Sequence, residues 1–147
     1  MLSKRAKYGL HALFYLARNR DQGAILIAKL AAEEGIPKKF LESILLDLRK
    51  QGILVSKKGK GGGYLLNGSP DQIHLGRVVR LLDGPLAPVP CVSKMAYARC
   101  TDCKDEAKCE SRLVMQEVRD AIAGVLDSRT LADVLKAQGR KKTKANK

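Results

Sequence analysis

A mainly α fold with one small β wing is what this chain predicts, and three observations predict it. Two helical segments meet at a turn around Gly35. A basic, glycine-rich run at 57–63 separates two short apolar strands. A long amphipathic segment follows a loop that holds every cysteine of the chain. Together they describe a winged helix-turn-helix followed by a long C-terminal helix suited to packing on its twin.

The elements follow in order. Ala6, Leu10, Leu13, Phe14 and Ala17 recur at helical spacing, so a first helix covers 4–19, and Asp21-Gln22-Gly23 ends it. Ala24-Ile25 reads as a short strand, and Ile27 to Glu34 as a second helix carrying Ile27, Leu30 and Ala31. Gly35 breaks the chain, and Pro37 suits the first turn of a third helix, 37–51, with Leu41, Ile44, Leu45 and Leu48 as its buried stripe. Gly52 caps it. Residues 53–56 and 64–66 are the strands of a hairpin whose tip is Lys57-Lys58-Gly59-Lys60-Gly61-Gly62-Gly63. A fourth helix at 74–82 turns Leu75, Val78, Val79 and Leu82 inward, and Gly84-Pro85 ends it. Beyond the cysteine loop, Val114, Val118, Ala121, Ile122 and Val125 make the stripe of the long helix, 110–127; Thr130 caps a short last helix, 131–136. The expected units are thus a winged head at 1–83, a cysteine loop at 84–109, a dimerisation helix with a short C-terminal helix at 110–136, and a disordered basic tail at 137–147.

Charge narrows the function. The chain of 147 residues carries a formal net charge of +13, which points to a polyanionic partner, above all nucleic acid. The charge is uneven: residues 1–82 carry 15 Lys/Arg against 6 Asp/Glu, residues 83–138 carry 8 against 9, and the last nine carry 5 against none. The head is the electrostatic footprint. The N-terminus lacks an apolar signal core and no apolar run reaches membrane-spanning length, so a cytoplasmic protein without a membrane partner is expected. No Ser-His-Asp set, carboxylate pair or phosphate cradle emerges, so no enzyme is expected. His11 reads as a partly buried structural residue and His74 as a cap or surface residue.

Double-stranded DNA is the expected partner. Lys38, Lys39, Phe40, Glu42, Ser43 and Asp47 lie near the start or on the polar side of the third helix, whose first turns reach base edges in the major groove. Lys39 and Ser43 stand one turn apart, and Glu42 suits a cytosine amino group. Lys4, Arg5, Arg49, Lys57, Lys58 and Lys60 suit phosphates or, from the wing, a minor groove. Gly61, Gly62 and Tyr64 belong to the same wing contact, the glycines by letting the hairpin approach closely.

The four cysteines, Cys91, Cys100, Cys103 and Cys109, share one polar loop with the spacing C-x8-C-x2-C-x5-C. Clustered thiols with none elsewhere read as a ligand set, and cytoplasmic thiols are rarely structural disulfides. Zinc, an iron–sulfur cluster and a thiol/disulfide switch all suit the donors, and composition alone does not choose among them.

The stretches Lys7-Tyr8-Gly9, Ile36-Pro-Lys-Lys-Phe-Leu-Glu42, Leu48-Arg-Lys-Gln-Gly-Ile53, Gly59-Lys-Gly-Gly-Gly-Tyr-Leu65 and 126–135 resemble the IscR/NsrR superfamily of bacterial winged-helix regulators over about residues 1–136. The resemblance implies a homodimeric transcription regulator reading a near-palindromic operator, with a [2Fe–2S] or [4Fe–4S] cluster sensing redox, iron or nitric oxide status. It implies Cys91, Cys103 and Cys109 as ligands. Where the cluster regulators have a histidine this chain has Arg112, and where the nitric-oxide sensors have an acid it reads Lys4-Arg5-Ala6-Lys7-Tyr8. Cys100 is therefore the economical fourth ligand. The family's wing arginine is replaced by Lys58. Zinc, or thiols acting without a cluster, is the alternative.

Overall fold

The computed structural model describes residues 2–145, and the side chains up to 142. Six helices and one hairpin follow in the order α1 (Lys4–Arg18), α2 (Ile27–Glu34), α3 (Lys38–Lys50), β1 (Leu54–Lys57), β2 (Gly63–Leu66), α4 (Leu75–Asp83), α5 (Glu110–Ser128) and α6 (Leu131–Ala145). The predicted elements stand within a residue or two of their places, apart from the last.

The head has a continuous apolar core. Leu41, Ile44, Leu45 and Leu48 of α3 are all sealed from solvent, and Leu13, Leu30 and Val78 meet them from α1, α2 and α4. Each such side chain contributes about 1.5–3 kcal/mol by leaving water. This burial is what fixes α3 against α1 and α2 and leaves its opposite face outward. α1 starts where Ser3 caps it, accepting from the Ala6 amide at 3.1 Å. The Ser3 amide in turn donates to Asp83 at 3.0 Å and its hydroxyl donates to the same carboxylate, so the two ends of the head are joined.

The strands pair antiparallel with Leu54 opposite Leu66 and Lys57 opposite Gly63. The piece expected at Ala24-Ile25 is real but is a single bridge: Ile25 and Tyr64 exchange two backbone bonds of 2.8 Å. Gly63 makes this possible. Its φ is 141°, and a Cβ there would collide with the Ile25 carbonyl. The wing is therefore fastened to the segment that opens α2.

α5 differs from every helix of the head, because none of its residues is buried. It is held at its end. Arg80 of α4 donates to both carboxylate oxygens of Asp127, at 2.5 and 2.8 Å, and the His74 ring nitrogen Nδ1 lies 2.8 Å from the Asp127 carbonyl. The Arg80 bond draws the Asp127 carboxyl below the usual carboxylate range. Leu131, fully buried, then plugs α6 into the head core.

The sequence reading of the C-terminus needs correction. α6 does not stop at 136 and residues 137–145 are not a disordered tail, because the helix runs to Ala145. Residues 146 and 147 lie outside the described residues. Charge composition suggested disorder, but Ala, Gln, Lys and Arg are good helix formers, and extending an existing helix avoids the cost of nucleation. His11 also departs from expectation: it is exposed, with its ring nitrogen 3.3 Å from Glu34.

Candidate nucleic-acid interface and cysteine loop

The outward face of α3 carries Lys38, Lys39, Glu42 and Ser43, all exposed, as the sequence predicts. Lys57, Lys58 and Lys60 are exposed on the wing, and Lys4 is exposed at the start of α1. Arg49 leans from α3 onto the wing, donating to Ser56 at 3.3 Å. Helix and wing therefore present one basic surface.

Three residues expected at the contact are less exposed than their neighbours. Phe40 is half-buried and packs edge-on against Tyr8, with ring centroids 5.6 Å apart. Its apolar ring follows the core while its helical neighbours turn out, so it braces α3. Tyr64 is likewise half-buried and packed on the core. Gly62 is buried in the hairpin turn, where a Cβ would collide with the Lys57 carbonyl; its role is to close the turn.

Arg5 is also placed unexpectedly. Its guanidinium reaches from α1 to α3, pairing with Asp47 and donating to the Ser43 hydroxyl at 3.1 Å. These partners are about forty residues away in the chain, so no local pattern reveals them.

The cysteine loop lies between α4 and α5, as predicted. All four cysteines are free thiols; Cys91 is buried and the other three are partly exposed. A hydrogen bond between the Cys100 and Cys91 thiols pushes the Cys100 thiol above its ordinary pKa, since a bond to the protonated form opposes ionisation. The Cys103 amide donates to the Cys100 carbonyl at 3.2 Å, and Cys109 opens α5 as its N-cap residue.

Four thiols in one loop are donors of the right kind for an iron–sulfur cluster or zinc. Their placement is not that of a ready-made site. Among the described residues, no three His, Cys, Asp or Glu side chains stand together so as to hold a metal ion. The set fits in kind, and binding has to gather it. Arg112, at the position where the resemblance places a histidine, has a buried Nε without a hydrogen-bond partner among the described residues. A guanidinium stays protonated and offers no lone pair, so it does not replace the missing histidine ligand.

Sequence reasoning missed what ties the loop down. Arg119 of α5, half-buried, donates to the Val92 carbonyl at 2.7 Å, next to Cys91. Its neighbour Asp120 meets Lys94 at 3.6 Å. Arg119 also bonds Asp120, which lowers the Asp120 carboxyl's pKa. An arginine on a long polar face carries no signal of such a bond before the fold is known.

Beside the loop, α5 exposes its apolar stripe: Val114 55%, Val118 37%, Ile122 39% and Val125 61%. A cleft of about 620 Å³ runs along it, lined by Val79, Pro85, Leu86, Val118, Ile122 and Leu126. No helix among the described residues is long and apolar enough to cross a membrane.

A family model, Rrf2, described as an iron-dependent transcriptional regulator, matches residues 2–137. An rrf2-like HTH-type transcriptional regulator of Rhodobacter capsulatus is 45% identical over 140 residues, covering 93% of each chain. The solved structure of CymR, the global cysteine regulator of B. subtilis, superposes with a TM-score of 0.75 at 30% identity, covering 91% of this chain and 95% of that one. The IscR of T. potens gives 0.73 at 30% identity, covering 94% and 88%. With a winged head and matches of this extent, the chain belongs to the Rrf2 family: it is a transcription regulator and not an enzyme.

Proposed function

We propose that this protein is a homodimeric regulator of double-stranded DNA whose affinity for a near-palindromic operator is set by the state of the cysteine loop. The observation that carries this reading is the Arg119 bond to the Val92 carbonyl. It makes the turn holding Cys91 and the helix expected to dimerise into one mechanical unit, so a change at the thiols is a change in how α5 is held. In a dimer, the placement of α5 sets the spacing of the two heads, and head spacing must match half-site spacing on the duplex.

The group proposed for the loop is an iron–sulfur cluster held by Cys91, Cys103 and Cys109 with Cys100 as fourth ligand; zinc is the runner-up. A cluster would supply sensitivity to oxidants, iron supply or nitric oxide. The chain's own residues supply the rest: Arg119 and Lys94 anchor the loop to α5, and Arg80 and Asp127 anchor α5 to the head. Absorption spectra with iron, sulfide and zinc assays on protein isolated without oxygen test the cluster, and operator titration of each form tests the coupling. A colourless, zinc-loaded protein overturns the cluster reading.

One observation favours a second reading. The Cys91 thiol interacts with that of Cys100 and raises its pKa, so the two are candidates for a disulfide switch, and the similar CymR structure is that of a global cysteine regulator. A peroxide would oxidise one thiol to a sulfenic acid, releasing water or alcohol; the second thiol would displace water to form the S–S bond. Loss of two hydrogen masses from the metal-free protein, blocked by Cys100→Ser, identifies this route.

A further inference from the structure

Ser43 and Asp47 stand four residues apart on α3, one turn of helix along the same face. One guanidinium, that of Arg5, spans both. The Ser43 hydroxyl hydrogen is already used, donated to the Phe40 carbonyl at 3.0 Å. Ser43 thus offers only lone pairs, and Arg5 takes one of them. The hydrogen-bond donor at this level of the reading face is Arg5 and not Ser43. A guanidinium has five N–H groups in a rigid plane, and two are engaged here, leaving three. Neither partner is sealed off, since the Arg5 side chain is 28% and the Asp47 side chain 44% exposed.

The chemistry of the ligand follows from the charges. A phosphate beside this pair would meet the Asp47 carboxylate, whose charge repels it. An uncharged base edge with two acceptors meets no such repulsion, and guanine O6 and N7 match the arginine fork. We propose that Arg5 reads a guanine in the major groove, and that Asp47 is the specificity-determining residue that positions it. The proposal rests on α3 being the helix that enters the groove.

Selection from a pool of randomised duplex DNA, with sequencing of the bound fraction, tests it on the full chain. The expected result is one guanine per half-site whose preference falls about tenfold in Asp47→Asn, vanishes in Arg5→Ala and survives in Asp47→Glu, with other positions unchanged. A partly exposed surface pair of this kind adds little to stability, so the variants stay folded. If Asp47→Asn and Arg5→Ala alter binding equally for all sequences, or leave the preferences intact, the assignment is overturned while the DNA-reading function stands. A wild-type protein that enriches no sequence overturns both.

Discussion

α3 and α5 are both amphipathic, and they meet opposite fates. The stripe of α3 is answered inside the chain, where Leu41, Ile44, Leu45 and Leu48 lose all contact with solvent. The stripe of α5 is only partly covered among the described residues: Val114, Val118, Ile122 and Val125 remain exposed and no residue of the helix is buried. The same periodicity therefore encodes a core in one place and an unfilled surface in the other. What separates them is the supply of apolar partners nearby in space: α1, α2 and α4 enclose the stripe of α3, whereas among the described residues α5 meets only one side of an open cleft, through Val79, Pro85 and Leu86.

The contrast can be broken experimentally. Leu45→Ala removes a sealed side chain and should destabilise the head by about 2–5 kcal/mol in denaturant melts. Ile122→Glu should leave the head's melt almost unchanged and convert the proposed homodimer to a monomer in sedimentation experiments, because a buried unpaired carboxylate opposes association. A head that unfolds together with the dimer would show that α5 supports the core after all.

Two smaller effects sharpen the comparison at the joints between the halves. Arg119→Gln loses the bond to Val92 and should expose Cys91, raising its alkylation rate roughly fivefold for about 1 kcal/mol of lost bonding, while the head melt stays put. Asp127→Asn should cost roughly 0.2–1 kcal/mol at neutral pH. Because Arg80 holds the Asp127 carboxyl below its unfolded value, the stabilisation is present above the ordinary carboxylate range. It is lost as pH falls through the folded value, so the two proteins should converge in acid.

Much of the head was legible because its signals are local. The leucine and isoleucine spacing of α3, the break at Gly35 and the glycine-rich hairpin each state their structure within a few residues. The cysteine loop was legible as a donor set by composition and not as an arrangement, since the burial of Cys91 and the Arg119 anchor depend on packing between distant segments. The length of α6 was missed because a basic composition reads as a solvated tail, whereas Leu131 in the core starts a helix that the following residues readily extend. The packing of Phe40 was not legible for a related reason: its position near the start of α3 pointed outward, while its ring partner Tyr8 comes from α1.

The joining of Ser3 to Asp83 gives the head the geometry of a closed buckle. The chain leaves the head for the cysteine loop at the point where α1 begins, and Arg5 lies in the first turn from that point. Residue 84 is thus joined, through Asp83 and Ser3, to the root of the side chain that crosses to α3. The exit toward the loop and the Arg5 bridge to α3 are thereby linked at the surface, outside the apolar core.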